Sequence, residues 1–405
     1  MDVGDGARAA AAASVAEQLG APLSAEQQDA LRTVTGPERM ATLIGQAGTG
    51  KGVVLEAAAR AEQHAGRYVV GVAVAGATAQ RLGESPDSAL GGDGQTMSID
   101  ALLARERHDP EQLLSPRTTV IVDEAAMADT KRKSALIGLV SQRGAKIVTV
   151  GDSRQLSSIG EGGMFDVVQT SVPSAELTEI RRTTDPAEQA AWEALRAGEP
   201  ERALAHYQAQ GRLHLDNTRT ESIEAATRSF AEITEQLRVR EVALVIDGNN
   251  TEIARANARI QRLRADRGDL GELAVAHPDP SLPYQLREGD RVSFVASHPV
   301  AHEARVENGV SGEILAADPE VDAVMVGLDG SGRQVPVVGE DLARLRLGYA
   351  HHVMRFQGAT VTRAIGVTGG WQTSRESTYV LGSRARERTD WYANRDDLGA
   401  PGGPT

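Results

Sequence analysis

In the N-terminal part of the chain, short and nearly continuous apolar runs alternate with polar stretches of helical period. The runs at 40–44, 68–74, 119–122 and 146–150 lack period-two alternation, the pattern of parallel strands buried on both faces. Between them, residues 7–20 read as an alanine-rich helix ended by Gly20. A second helix at 23–31 opens with Ser24 as N-cap and Gln27 three residues on, a capping box. Further helices are expected from 53, 77 and 96. The texture shifts near residue 175, where a polar helix pair runs to Tyr207, and a strand at 241–246 with a helix at 250–263 starts a second α/β unit. Short alternating runs at 291–295, 310–315 and 323–328, split by turn signals such as Asp329-Gly330, suggest a small β-barrel insertion. The α/β pattern resumes at Gly348 and includes a strand at 364–367. The expected organisation is an N-terminal helix (1–22), a first α/β domain (23–175) and a second (176–284 and 346–396). The barrel insertion takes 285–345, and 397–405 is a Gly/Pro-rich disordered tail.

Length and composition narrow the classes. A chain of 405 residues needs more than one core. It has no apolar run long enough to span a membrane and no cationic-then-apolar leader at its start, which points to the cytoplasm. Cysteine is absent, which excludes disulfides and thiolate metal sites. A net charge of −13 argues against holding duplex DNA by bulk attraction, though not against a narrow groove lined by arginines. Aromatic residues make up only 3%, so rows of stacking rings are not expected.

The chemistry gathers at strand ends. Gly45-Gln46-Ala47-Gly48-Thr49-Gly50-Lys51-Gly52 follows the first strand and opens a helix, the order a phosphate-binding loop requires. Its glycines let backbone N–H groups face one concavity, and Lys51 is placed to reach the outer phosphates. Gly52 stands where a magnesium-ligating Ser or Thr is usual. The strand at 119–122 delivers Asp123 and Glu124, whose side chains leave on opposite sides. One can hold magnesium while the other reaches an attacking water, and an acidic strand-to-helix cap is the plain alternative. After the strand at 146–150, Gln155 offers a neutral amide for a γ-phosphate. On local evidence Gln27 completes the Ser24 cap about as readily as it serves another role, and Thr78 and Thr96 read as ordinary N-caps.

Taken in order, these segments resemble superfamily 1 helicases of the RecD-like branch, and most of all the helicase half of TraA/TrwC-type (MobF) conjugative relaxases. The resemblance covers about 20–395. It rests on 23–31, the phosphate loop, Asp123-Glu124-Ala125-Ala126-Met127, Gly151-Asp152 with Gln155-Leu156, and Arg182 after Leu177-Thr178. Gln357-Gly358 with Thr360 and Ser383-Arg384-Ala385-Arg386 complete it. It implies two RecA-like domains of mainly parallel sheets, an SH3-like barrel in the second, and ATP with Mg2+ as cofactors. Gln27 would contact the adenine side of the nucleotide, and Lys51, Asp123, Glu124 and Gln155 would serve catalysis from the first domain. Arg182 and Arg384 would reach across from the second as arginine fingers. Single-stranded DNA would be the track, with movement 5′ to 3′, and Thr78, Thr96, Phe356, Gln357 and Thr360 are its candidate contacts, the threonines at its phosphates. A relaxase or conjugation complex would be the partner.

Departures set the alternatives. Gly52 lacks the metal hydroxyl, Thr183 stands where the family often has Gln, and Met354-Arg355-Phe356 replaces the family's His-Lys-Ser. Little chain separates the Thr96 segment from the next strand, too little for a strand-separating hairpin, which favours translocation over unwinding. No relaxase-type histidine cluster or nicking tyrosine precedes the motor, so the chain reads as a stand-alone motor or as part of a longer relaxase. A nucleotide-binding scaffold without turnover, or a DNA-stimulated ATPase without unwinding, are the competing readings.

Overall fold

The computed structural model describes residues 3–83, 88–91, 95–108, 113–152, 154–155, 169–300, 305–370 and 373–395. The tail 397–405, Leu156 and parts of the Gly-rich loop at 83–95 lie outside these. The chain divides into two compact units, Met1–Arg182 and Thr183–Thr405.

In the first unit, helices α1 (Asp5–Leu19) and α2 (Ala25–Val34) precede β1 (Met40–Gly45), α3 (Lys51–His64), β2 (Tyr68–Ala73) and α4 (Gly76–Leu82). β3 (Thr96–Ser98), α5 (Ile99–His108), β4 (Thr118–Asp123), α6 (Thr130–Gln142), β5 (Lys146–Gly151) and β6 (Ser174–Leu177) follow. The six strands form one sheet in the order β3-β2-β4-β5-β1-β6, every pair parallel. Both faces are covered, which is why the strands read as unbroken apolar runs. Val15, Leu31, Val34, Leu55 and Ala58 from α1–α3 pack on one side, with Leu43, Ile121 and Val148 of the sheet. Leu102, Leu136 and Val140 from α5 and α6 pack on the other, with Val70, Val120 and Ile147. α1 ends at Gly20 with φ 70°, as its sequence predicts, and Ser24 and Gln27 close a capping box on α2.

Two local expectations are corrected. Thr96 starts a strand, and the cap of α5 is Ser98, whose hydroxyl accepts the N–H of Ala101 at 3.1 Å. The segment around Leu177 belongs to the first unit, because β6 pairs with β1 (Gly45 opposite Leu177). Arg182 therefore closes the first unit and does not come from the second.

The second unit holds a parallel five-stranded sheet. Its strands are β7 (Leu213–Asp216), β8 (Val242–Ile246), β16 (Ala350–His351), β17 (Val361–Val367) and β18 (Ala385–Asn394), in the order β16-β8-β17-β18-β7. Between β8 and β16 lie the ribbon β9 (Ala274–Val275) with β10 (Leu286–Arg287) and five further strands, β11 (Arg291–Phe294), β12 (Ser311–Asp318), β13 (Ala323–Leu328), β14 (Gln334–Val338) and β15 (Leu345–Leu347). These five make an antiparallel sheet in the order β14-β13-β12-β11-β15. β13 and β14 alternate buried and less buried positions, the signal read from sequence.

A buried polar cluster fastens this sheet to the helix Asn250–Asp266. Asp290, fully buried, accepts the Tyr349 hydroxyl at 2.6 Å, the Gln261 amide at 2.6 Å and the Arg287 N–H at 2.8 Å, while Arg264 donates to the Tyr349 oxygen at 2.9 Å. Burial pushes the Asp290 carboxyl up to about 6 against the pull of these donors. Among the described residues, no helix is long and apolar enough to cross a membrane.

Candidate functional site

In the first unit, parallel pairing sends the carboxyl ends of β4, β5, β1 and β6 to one edge, where ligands bind in open α/β sheets. The loop after β1 is held in the required shape by Gly48 (φ 81°) and Gly50 (φ 85°), the latter capping α3. Lys51 folds back on this loop, its Nζ donating to the carbonyls of Gly45 at 2.7 Å and Gln46 at 3.0 Å. Thr49 is buried, its hydroxyl donating to the Gln46 carbonyl at 3.0 Å. Gln27 is buried with its Oε1 accepting the Ser24 N–H at 3.1 Å. Its amide nitrogen lies 2.7 Å from the point a Cβ on Gly50 would occupy. One side chain thus caps its own helix and touches the phosphate loop.

At the end of β4, Asp123 accepts the N–H of Glu124 at 2.8 Å. Burial and the neighbouring charge of Glu124 raise the Asp123 carboxyl to about 6, against the pull of Lys51 and Arg81. Glu124 is buried with left-handed backbone, φ 48° and ψ 38°, a conformation costly for a residue with a Cβ. That turn ends the strand, and the following Ala125–Met127 turn packs back on the sheet, with Ala125 buried against Val122 and Ile147. At the end of β5, buried Gln155 donates from its amide to Asp152 at 3.3 Å. After β6, the backbone N–H groups of Arg181 and Arg182 both donate to the Gly48 carbonyl, at 2.7 and 3.1 Å.

Magnesium fits this donor set in part. Asp123 is a carboxylate beside Lys51, the hard oxygen donor such an ion takes. At Gly52 a Cβ would meet nothing within 4 Å, so no neighbouring side chain fills the place of the usual hydroxyl.

The proposed strand contacts fall in several settings. Thr78 sits in the first turn of α4, whose N-cap is Ala75, so Thr78 is not a cap; its hydroxyl accepts from Arg81 at 3.0 Å. Thr96 is half-buried in β3. In the second unit Thr360 is exposed, whereas Gln357 is buried. Phe356 is buried as well, 5% exposed, so it is not available as a stacking ring. On its short helix, Val353–Phe356, the ring turns into the core while Met354 and Arg355 face out. Arg384 is buried, its Nε donating to the Val380 carbonyl at 2.8 Å.

Sequence reading missed a groove of about 690 Å³ within the second unit, lined among others by Arg255, Tyr284, Arg346, His351, His352 and Arg355. Burial and the nearby Arg346 hold the Arg355 guanidinium below its usual range, and no carboxylate among the described residues pairs with it. Burial, then Arg291 and Arg355, push the His351 imidazole down to about 4, so it is neutral at pH 7. Arg255, Arg346 and Arg355 bring positive charge to this groove, with Arg346 paired to Asp279 of the same lining at 3.3 Å. Its signal was Arg355 itself: in a chain with four phenylalanines, Phe356 is worth more to the core than to solvent, and its neighbour takes the exposed place.

Residues 22–218 match the family model described as an AAA domain. Over 370 residues the chain is 30% identical to the conjugal transfer protein TraA of Agrobacterium fabrum, covering 91% of this chain and 32% of that protein. It is 27% identical over 376 residues to the ATP-dependent RecD2 DNA helicase of Deinococcus radiodurans, covering 90% of this chain and 48% of that one. A crystal structure of Bacteroides Pif1 bound to ssDNA shares the fold, with a TM-score of 0.59 at 16% identity over 91% of this chain and 92% of that one. The chain spans about a third of the length of TraA.

Proposed function

Because the chain belongs to the superfamily 1, RecD-like helicase family and stands close to TraA, we propose that it is an ATP-driven motor on single-stranded DNA. The observation that carries this reading is the shared edge of the first sheet. There Lys51, the Asp123–Glu124 pair, Asp152 with Gln155, and the Arg182 backbone end four neighbouring strands. In this reading the loop 45–52 cradles the phosphates of ATP, and Lys51 leaves the Gly45 and Gln46 carbonyls for a phosphate oxygen. Gln27 supports the loop from the base side. Asp123 is the protein's ligand for Mg2+, which when bound supplies charge neutralisation at the phosphates. Glu124, fixed by its strained backbone, orients the attacking water and takes its proton; Gln155 senses the γ-phosphate. Arg182 and Arg384 are assigned to the charge that develops on the transferred phosphoryl group.

The DNA half of the proposal is supported by the arginine-lined groove of the second unit and by Thr360 at the foot of β17. We assign movement 5′ to 3′, with Thr78, Thr96 and Thr360 on the strand's phosphates. The antiparallel sheet of the second unit is read as an SH3-like barrel insertion. A relaxase or conjugation complex is the proposed partner, since TraA is a conjugal transfer protein.

The test is ATP hydrolysis with and without single-stranded DNA. Strong stimulation, abolished by Lys51→Ala, is expected; nucleotide binding without turnover would sink the motor in favour of a scaffold. A strand-displacement assay on a 5′-tailed duplex then separates unwinding from translocation alone.

A further inference from the structure

The loop that ends in Arg182 is pinned at both of its ends. Its far end hangs on the Gly48 carbonyl through two N–H donors, at 2.7 and 3.1 Å. Its near end is gripped by Glu26 of α2. One carboxylate oxygen accepts the Thr178 N–H at 2.7 Å and its hydroxyl at 2.8 Å, and the other accepts the Glu179 N–H at 3.3 Å. Three donors on one carboxylate, with Arg181 close by, draw the Glu26 carboxyl below its ordinary range although partial burial opposes this. A first-turn acid usually needs no partner beyond its own helix; this one turns away from the helix and holds another segment. Its neighbour Gln27 meanwhile touches Gly50 in the phosphate loop. Adjacent residues of one helix turn therefore touch the loop that would hold ATP and the loop that presents Arg182.

We propose that Glu26 is a positioning residue that sets Arg182 for catalysis, linking the base side of the nucleotide site to the arginine loop. The proposal rests on the ATPase reading given above. Glu179 and Gly48 take part through backbone groups and Thr178 through its N–H and hydroxyl, so the carboxylate of Glu26 stands at the centre of the device.

The experiment is a double-mutant cycle in the full chain, read by DNA-stimulated turnover and by mant-ADP affinity. Glu26→Ala is expected to lower kcat at least about fivefold, the loss of a charge-assisted anchor, while mant-ADP affinity stays within about twofold. In an Arg182→Ala background the same substitution is expected to remove nothing more, since both changes then disable one device. Thr178→Val, at an exposed position that tolerates it, should reproduce the effect more weakly, which guards against a misfolded Glu26 variant. Additive losses in the Arg182→Ala background, or equal losses of turnover and nucleotide affinity, would overturn the proposal and leave Glu26 a structural tie. Intact turnover in Arg182→Ala would overturn it as well. Absence of turnover in the unaltered chain would instead bring down the motor reading on which it stands.

Discussion

The side-chain amide of Gln27 lies 2.7 Å from the place a Cβ on Gly50 would take, and Gly50 itself has φ +85°. Two independent constraints thus require glycine there. A side chain would strain the backbone by about 1–2 kcal/mol and would also push the Gln27 amide from its seat. Gly50→Ala is expected to lower stability by about that strain and, by displacing the Gln27 amide and reshaping the loop, to weaken mant-ADP binding about tenfold. Unchanged affinity would mean that Gln27 is only a helix cap.

Gly52 is the opposite case. A Cβ there meets nothing within 4 Å, and the position lies in the first turn of α3. Gly52→Ser is expected to lower the magnesium concentration needed for half-maximal mant-ADP binding. Gly52→Ala is the control, because it brings the larger helix benefit, about 1 kcal/mol over Gly, without a ligand. Equal metal curves for the two variants would show that no ion reaches this position.

The Asp123 carboxyl titrates near 6 in the free protein, raised from 3.8 by burial and by Glu124. Its folded value exceeds its unfolded one, so its contribution to stability is full below about 4 and is lost as pH rises through about 6. Function runs the other way, since only the ionised form holds a metal. Magnesium-dependent nucleotide binding should fall as pH drops below 6, and Asp123→Asn should remove that dependence. The same variant should raise Tm by a few degrees at pH 8. A Tm unchanged by Asp123→Asn would show that burial does not penalise the carboxylate.

Neighbouring residues on one short helix should separate binding from folding. Arg355→Ala is expected to weaken single-stranded DNA binding and to reduce the slope of log affinity against log salt by about 0.7, one phosphate contact on a single strand. Phe356→Ala should instead destabilise the fold by about 3–5 kcal/mol. Fluorescence anisotropy over a salt series and urea unfolding distinguish the two. A normal salt slope in Arg355→Ala would remove the groove from the DNA path.

What was legible in the sequence follows from how far each signal reaches. The strands at 40–44, 68–74, 119–122 and 146–150 stand where read, because covering both faces demands apolar residues at successive positions. Turn chemistry was equally local: Gly20 and the Ser24–Gln27 box are fixed by their own few residues. The errors came from pairing at long range. β6 is only four residues with one buried position, so its membership of the first sheet depends on β1 and not on its own pattern. That misplaced Arg182. Thr96 looked like a cap because Thr caps helices well, but its backbone pairs with Gly71 of β2. The Glu26 contacts span 152 and 153 residues and left no trace in local spacing.

The Asp290 cluster has a mechanical corollary. Through Gln261 and Arg264 it bolts the antiparallel sheet to the C-terminal part of the helix Asn250–Asp266, and Asn257 in the middle of that helix is clamped to the backbone of Tyr349 and Ala350. The first residues of the same helix, Asn250 and Thr251, form part of the groove wall. A tug on the antiparallel sheet must therefore travel along a stiff rod to that wall, and a strand gripped there would load the sheet in return.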